Sequence, residues 1–130
     1  MKGYITNIEE ETLKNTDYRR VLYTAKNSQL VLMNVRPGEE IGEEVHHLDQ
    51  FIRFEQGKAK VILDGVEHMA EADYAIVIPA GTKHNVINAG DEDLKLYTVY
   101  SPPEHRDGTV HATKEDSLKQ EEHFDGKTTE

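Results

Sequence analysis

Two stretches decide how this chain folds: Gly38-Glu-Glu-Ile-Gly-Glu-Glu-Val-His-His-Leu-Asp-Gln-Phe-Ile-Arg-Phe-Glu-Gln-Gly57 and Asp73-Tyr-Ala-Ile-Val-Ile-Pro-Ala-Gly-Thr-Lys-His-Asn-Val-Ile-Asn88. Each joins a turn-rich segment to a short run of β-branched and aromatic residues. Glu44 and His46 are two apart, so on extended backbone they share a face. Gln50 has the parity of Ile52 and Phe54, which places its amide on the apolar side of the following strand. His84 follows the turn Pro79-Ala80-Gly81, which can aim an imidazole at the same place from a second strand. Two imidazoles, a carboxylate and an amide oxygen form a hard-to-borderline N/O set suited to Fe(II), Mn(II), Ni(II) or Zn(II).

Reading outward, the strand signals continue on both sides. Tyr18–Thr24, Gln29–Val35, Phe51–Gln56, Ala59–Leu63, Tyr74–Ile78, Val86–Asn88 and Leu94–Tyr100 are short, β-rich and separated by turn signals. Asp64-Gly65 reads as a tight hairpin turn, because both central positions of a type I′ turn need positive φ. Many short strands without a helical period between them predict a sandwich or barrel, not a βαβ sheet. Asn7 with Glu10 predicts a capped helix over Ile8–Lys14, and Thr113 with Asp116 predicts another through His123. The chain thus divides into a lead-in (1–17), a β-barrel (18–100) and a C-terminal tail (101–130), whose last residues, Asp125–Glu130, read as frayed.

The spacing in the two stretches is specific. Gly38-x5-Glu44-x-His46-x3-Gln50-x6-Gly57 and Asp73-x5-Pro79-x-Gly81-x2-His84-x3-Asn88 resemble the two cupin motifs, G-x5-H-x-H-x3,4-E-x6-G and G-x5-P-x-G-x2-H-x3-N. Glu44 stands for the first His, Gln50 for the Glu and Asp73 for the leading Gly. The resemblance is to small single-domain cupins and implies an all-β, cupin-type double-stranded β-helix, jelly-roll-like, with short terminal helices. It also implies one divalent metal held by Glu44, His46, Gln50 and His84. Gln50, being neutral, is the weaker ligand, and Asn88 is read as stabilising a strand end. His46 and His47 point to opposite faces, and the pairing with Glu44 assigns His46 to the pocket. Because imidazoles bind metal only when neutral, affinity should fall below pH about 6.5.

Composition narrows the function. The 130 residues carry a net charge of −10, which disfavours nucleic acid as a partner. The absence of cysteine excludes thiolate chemistry and disulfides. No apolar run is long enough for a bilayer span, and the expected setting is cytoplasmic. Three functions fit: an enzyme using its metal as a Lewis acid or for O2 activation on a small oxygenated substrate (isomerase, dioxygenase or decarboxylase type), a non-catalytic barrel that binds or senses a small ligand, or a barrel that has lost its metal and serves as a structural or dimerisation unit. The sequence offers no acid or base beyond the ligands themselves. Arg53 and Lys83 are the basic residues near the motifs, and Arg53 has the wrong parity to face inward. His105 and His111 in the tail are read as incidental, the tail packing across the barrel or a partner. A homodimer is expected, because Tyr18–Thr24 is read as an edge strand that needs covering.

Overall fold

The computed structural model describes residues 2–130. After helix α1 (Ile8–Lys14), the chain forms β1 (Arg19–Thr24), β2 (Gln29–Val35), β3 (Asp49–Gln56), β4 (Lys58–Leu63), β5 (Val66–Glu71), β6 (Ala75–Ile78), β7 (His84–Asn88), β8 (Leu94–Ser101) and β9 (Val110–His111), then α2 (Lys114–Lys119). A six-stranded sheet in the order β6-β3-β8-β2-β1-β9 faces a three-stranded sheet in the order β5-β4-β7. All strand pairs are antiparallel. This is the expected all-β, double-stranded β-helix with short helices near its ends.

The register explains the core. Val31, Thr98 and Ile52 stand side by side across β2, β8 and β3, and Met33, Leu96 and Phe54 form the next inward row. All six are essentially fully buried, and removing that apolar surface from water is the main stabilising term. The Asp64-Gly65 turn forms as expected, with φ of 50° and 82°. At Gly57 the φ is 97°, and a Cβ would lie 3.1 Å from the Asp93 carbonyl oxygen, so backbone conformation and space both require glycine there.

Four expectations need correction. The hairpin turn leads into a full strand, β5, which the apolar pattern did not reveal because only Ala70 of its six residues is buried. Helix α2 stops at Lys119, well before His123. The chain end is docked: Thr129 exchanges hydrogen bonds with the Thr24 backbone, and the Glu130 carboxylate accepts from Tyr23 Oη and the Lys2 and Gly3 amides. Finally, β1 is not an open edge. β9 pairs with Arg19 and Arg20, the Val21 amide donates to the Thr109 carbonyl, and Thr129 covers Thr24. Among the described residues, no helix is long and apolar enough to cross a membrane.

Candidate metal centre and the pocket around it

Glu44 and His46 lie on irregular backbone between β2 and β3, where the sequence suggested a strand. Glu44 is nevertheless locked opposite His84: its amide donates to the His84 carbonyl and its carbonyl accepts from the His84 amide, both at 2.9 Å. Directly opposed residues of an antiparallel bridge share a face, so this pair brings the first motif onto the second. The Gly81 amide donates to the His46 carbonyl at 2.8 Å, which ties the next residues to the Pro79–Gly81 turn. His46 is largely covered while His47 is exposed, as the parity argument requires.

The side chains converge. His46 Nε2 lies 3.0 Å from Glu44 Oε2, and the His46 and His84 ring centroids are 5.2 Å apart. His84 Nδ1 lies 2.9 Å from the Thr82 carbonyl oxygen. A carbonyl can only accept, so Nδ1 carries the proton and Nε2 is left with its lone pair free, the arrangement found behind metal-bound histidines. Gln50 is buried, and its Nε2 donates to Thr98 Oγ1 at 3.0 Å. That hydroxyl is committed as donor to the Phe51 carbonyl at 2.8 Å, which fixes the amide orientation. Gln50 Oε1 is then a buried acceptor with no partner. Asn88 holds a strand end as expected, donating to the Val35 and Glu92 carbonyls. Asn85, next to His84 on β7, is on the opposite face and is covered by the loop between β2 and β3, where its Oδ1 accepts from the Gly42 amide.

Charge reinforces the geometry. Burial pulls the His46 imidazole down, but the Glu44 hydrogen bond and charge, with help from Glu104, outweigh it and leave its pKa raised. Burial pushes Glu44 up, and the His46 hydrogen bond and charge, with Arg19 and His84, bring it below the ordinary value. Burial raises Tyr18 to about 12 and holds Tyr100 still more firmly protonated.

The tail contributes groups that the motifs did not signal. Glu104 Oε2 lies 3.6 Å from His46 Nδ1. His105 is buried, its Nδ1 2.7 Å from Glu122 Oε1 and its Nε2 3.4 Å from Tyr100 Oη. The carboxylate must accept from Nδ1, so Nε2 faces the phenol as an acceptor. The Tyr100 ring is packed edge-on against both His105 and His46, at 5.1 and 5.9 Å between centroids. His105 is therefore built into the pocket wall, contrary to the sequence reading, and His111 is buried too. Only a recognition that Gln29 is buried and reaches the tail could have indicated this. Its Oε1 accepts from the Glu104 and His105 amides and its Nε2 donates to the His105 carbonyl and Thr24 Oγ1.

Among the described residues, no group of three His, Asp or Glu side chains stands close enough together to hold a metal ion as the side chains are placed. The donor set nonetheless fits one. Adjacent ligands each about 2.1 Å from a six-coordinate ion are about 3 Å apart, which is the Glu44–His46 separation. His84 Nε2 has a free lone pair, and the partnerless Gln50 Oε1 is an oxygen donor.

Comparison with known proteins agrees with this architecture. The Cupin domain family model matches residues 31–100. "Uncharacterized protein YrkC" of Bacillus subtilis (strain 168) is 44% identical over 128 residues, 93% of this chain and 69% of its own length. "Uncharacterized protein L612" of Acanthamoeba polyphaga mimivirus is 48% identical over 113 residues, covering 82% of this chain and 70% of its own. The crystal structure of BH2720 from Bacillus halodurans superposes with a TM-score of 0.90 at 44% identity, over 92% of this chain and 96% of that one. The chain belongs to the cupin domain family.

Proposed function

We propose that this cupin binds one divalent metal ion through Glu44, His46 and His84, with Gln50 Oε1 as a weaker fourth donor. We propose further that the site works as an enzyme on a small oxygenated substrate. The observation that carries the metal reading is the lone pair left on His84 Nε2 by Thr82, its ring 5.2 Å from that of His46, together with the partnerless buried oxygen of Gln50. When bound, the ion would supply Lewis acidity toward a substrate oxygen.

Catalysis is favoured over simple ligand storage by the Glu122–His105–Tyr100 chain. Glu122 fixes the His105 tautomer, and His105 Nε2 faces the Tyr100 hydroxyl as an acceptor, the proton being held on the phenol by burial. Carboxylate, imidazole and hydroxyl in that order hold a proton at a defined atom beside the reacting group. The reaction type this supports is proton transfer next to a polarised carbonyl, the isomerase type among those the family implies.

Elemental analysis of protein purified without chelator tests the metal. Native protein and His47→Ala should carry about one ion per chain, and His84→Ala should carry almost none. A metal-free native protein, full occupancy in His84→Ala, or loss in His47→Ala sinks the assignment.

A further inference from the structure

Arg19 lies outside both motifs, yet the fold turns it inward. In the β1–β2 register Arg19 opposes Met33 and Val21 opposes Val31, and both β2 residues belong to the buried core. Paired residues of an antiparallel ladder project from the same face, so Arg19 leaves β1 on the interior side. On its other flank it opposes His111 of β9.

The surroundings of this guanidinium are unusual in a chain with 25 acidic and 15 basic residues. Arg20 is neutralised by Asp17 at 3.2 Å and Arg53 by Glu55 and Asp73 at 3.1 Å each, while Arg36, which has no carboxylate partner among the described residues, is exposed to solvent. Arg19 has no carboxylate partner among the described residues. Its one hydrogen-bonding contact is Nη1 to His111 Nδ1, at 3.2 Å. Arginine can only donate, so this imidazole nitrogen accepts and His111 is neutral. The Nε hydrogen is buried and has no acceptor at all. Tyr18 supports the plane from below, its ring centroid 5.3 Å from Cζ, and its hydroxyl approaches the Ile41 carbonyl on the loop that carries Glu44. The charge of Arg19 is felt at Glu44, His46, Tyr18, Tyr100 and Glu122, the groups that surround the pocket.

We infer that Arg19 is the anion anchor of this pocket and that its unused Nε–Nη2 edge receives the carboxylate of a small organic acid. With Nη1 held by His111, the free side of the guanidinium presents two parallel N–H donors, the fork that matches a carboxylate. A half-buried cation without a counter-charge is unfavourable, and a bound carboxylate removes that penalty. The charge balance selects carboxylate over phosphate. One guanidinium can pair with a single negative charge at most, and the Glu44 and Glu104 carboxylates that share its surroundings disfavour a phosphate dianion more than a monoanion. This inference rests on the proposed function for the oxygenated character of the substrate, and it narrows that substrate to an oxo or hydroxy acid. The anchoring itself does not need the metal.

Isothermal titration of acetate, pyruvate, lactate and malonate, each against its amide, tests the inference at pH 7. Native protein, Arg19→Gln and Arg19→Lys are compared in chelator-treated and metal-loaded forms. At least one acid should bind native protein about tenfold or more tightly than its amide. Arg19→Gln should lose that preference and Arg19→Lys should keep part of it. The acid–amide comparison on native protein stands even if a variant folds poorly, and melting temperature and metal content report on that. Failure of all four acids to bind, equal binding of the amides, or unchanged acid binding by well-folded Arg19→Gln overturns the anchor. Arg19-dependent binding to a protein that never holds metal would leave the anchor standing and remove the metal centre. Stoichiometric metal lost in His84→Ala, without acid binding, would do the reverse.

Discussion

Gln50 shows how far a single position could be read. Parity with Ile52 and Phe54 places its side chain inside, and the burial of all three agrees. The sequence could not show that Thr98 spends its hydroxyl on a carbonyl and so turns the amide oxygen loose. The same division holds for the histidines. Spacing separates His46 from His47, but the Glu104 carboxylate beside His46 comes from 58 positions away, a contact without a local signal. Arg19 was legible in part, since it has the parity of apolar Val21, but nothing in the sequence showed that it lacks a counter-ion. The raised pKa of His46 also shifts one expectation: a metal must displace a proton held above the ordinary 6.5, so affinity should begin to fall above that pH. Replacing Gln50 with Glu is expected to divide the apo and metal-loaded states. Without metal, a buried carboxylate whose only neighbour is a committed hydroxyl should cost about 1–3 kcal/mol. With metal, it becomes a charged ligand and should bind the ion more tightly. Thermal unfolding with chelator and with added metal measures both, and a Gln50→Glu protein that gains no more from metal than native protein would refute the assignment of Oε1.

Strand assignment depends on apolar alternation, and it succeeded where one face is buried. Seven strands were legible for that reason; β5 was not, because Val66, Glu67, His68 and Met69 are all exposed, and β9, two residues long, is too short to carry an alternation. Helix α2 was read too long because a cap signals where a helix starts, whereas its end is set by tertiary capture: Glu122 is held by His105 and the Arg106 amide, and the Phe124 amide by the Glu104 carbonyl. The edges follow the same logic. β1 was expected to be open, but the tail covers it, and the loop bearing Glu40 and Glu44 bridges β7, so the edges left without a neighbour are those of β5, β6 and the two-residue β9. β6, Ala75-Ile-Val-Ile78, is uncharged, and Val77 on it and Tyr74 beside it are exposed. Natural edges are usually guarded by charge or proline within the strand. Pairing of two copies is therefore expected through β6, about a two-fold axis. Light scattering at micromolar concentration should give twice the chain mass for native protein and a single-chain mass for Val77→Lys. A native monomer, or a Val77→Lys dimer, removes β6 as the contact.

At the scale of the whole molecule, the tail is part of the barrel. It closes the β1 edge, seats two amides on the buried Gln29, and delivers Glu104, His105 and Glu122 to the pocket. Its closure should respond to acid. Burial pushes the Glu122 carboxyl up, but the His105 hydrogen bond and charge, together with the Arg106 amide, outweigh that and bring it down to about 2. A carboxyl depressed in the folded state stabilises fully above its unfolded pKa of 4.5 and loses that contribution as pH falls toward the folded value. Glu44, also depressed, acts in the same direction. His46, raised, has the opposite sign: its contribution is complete below the ordinary 6.5 and is lost as pH rises through the folded value. Linkage over the full drop gives about 3 kcal/mol, and screening by the solvent that still reaches this half-buried carboxylate lowers it to about 2, lost between pH about 4.5 and 2. Urea unfolding across this range should show native protein weakening steeply. Glu122→Gln should start less stable at neutral pH and fall by a correspondingly smaller amount, because an amide has no proton to gain. The tail should loosen in step, read as faster exchange of the Val21 amide that donates to Thr109. Equal acid slopes for the two proteins would mean that the Glu122–His105 contact does not hold the tail closed, and the proton chain to Tyr100 would lose its fixed end.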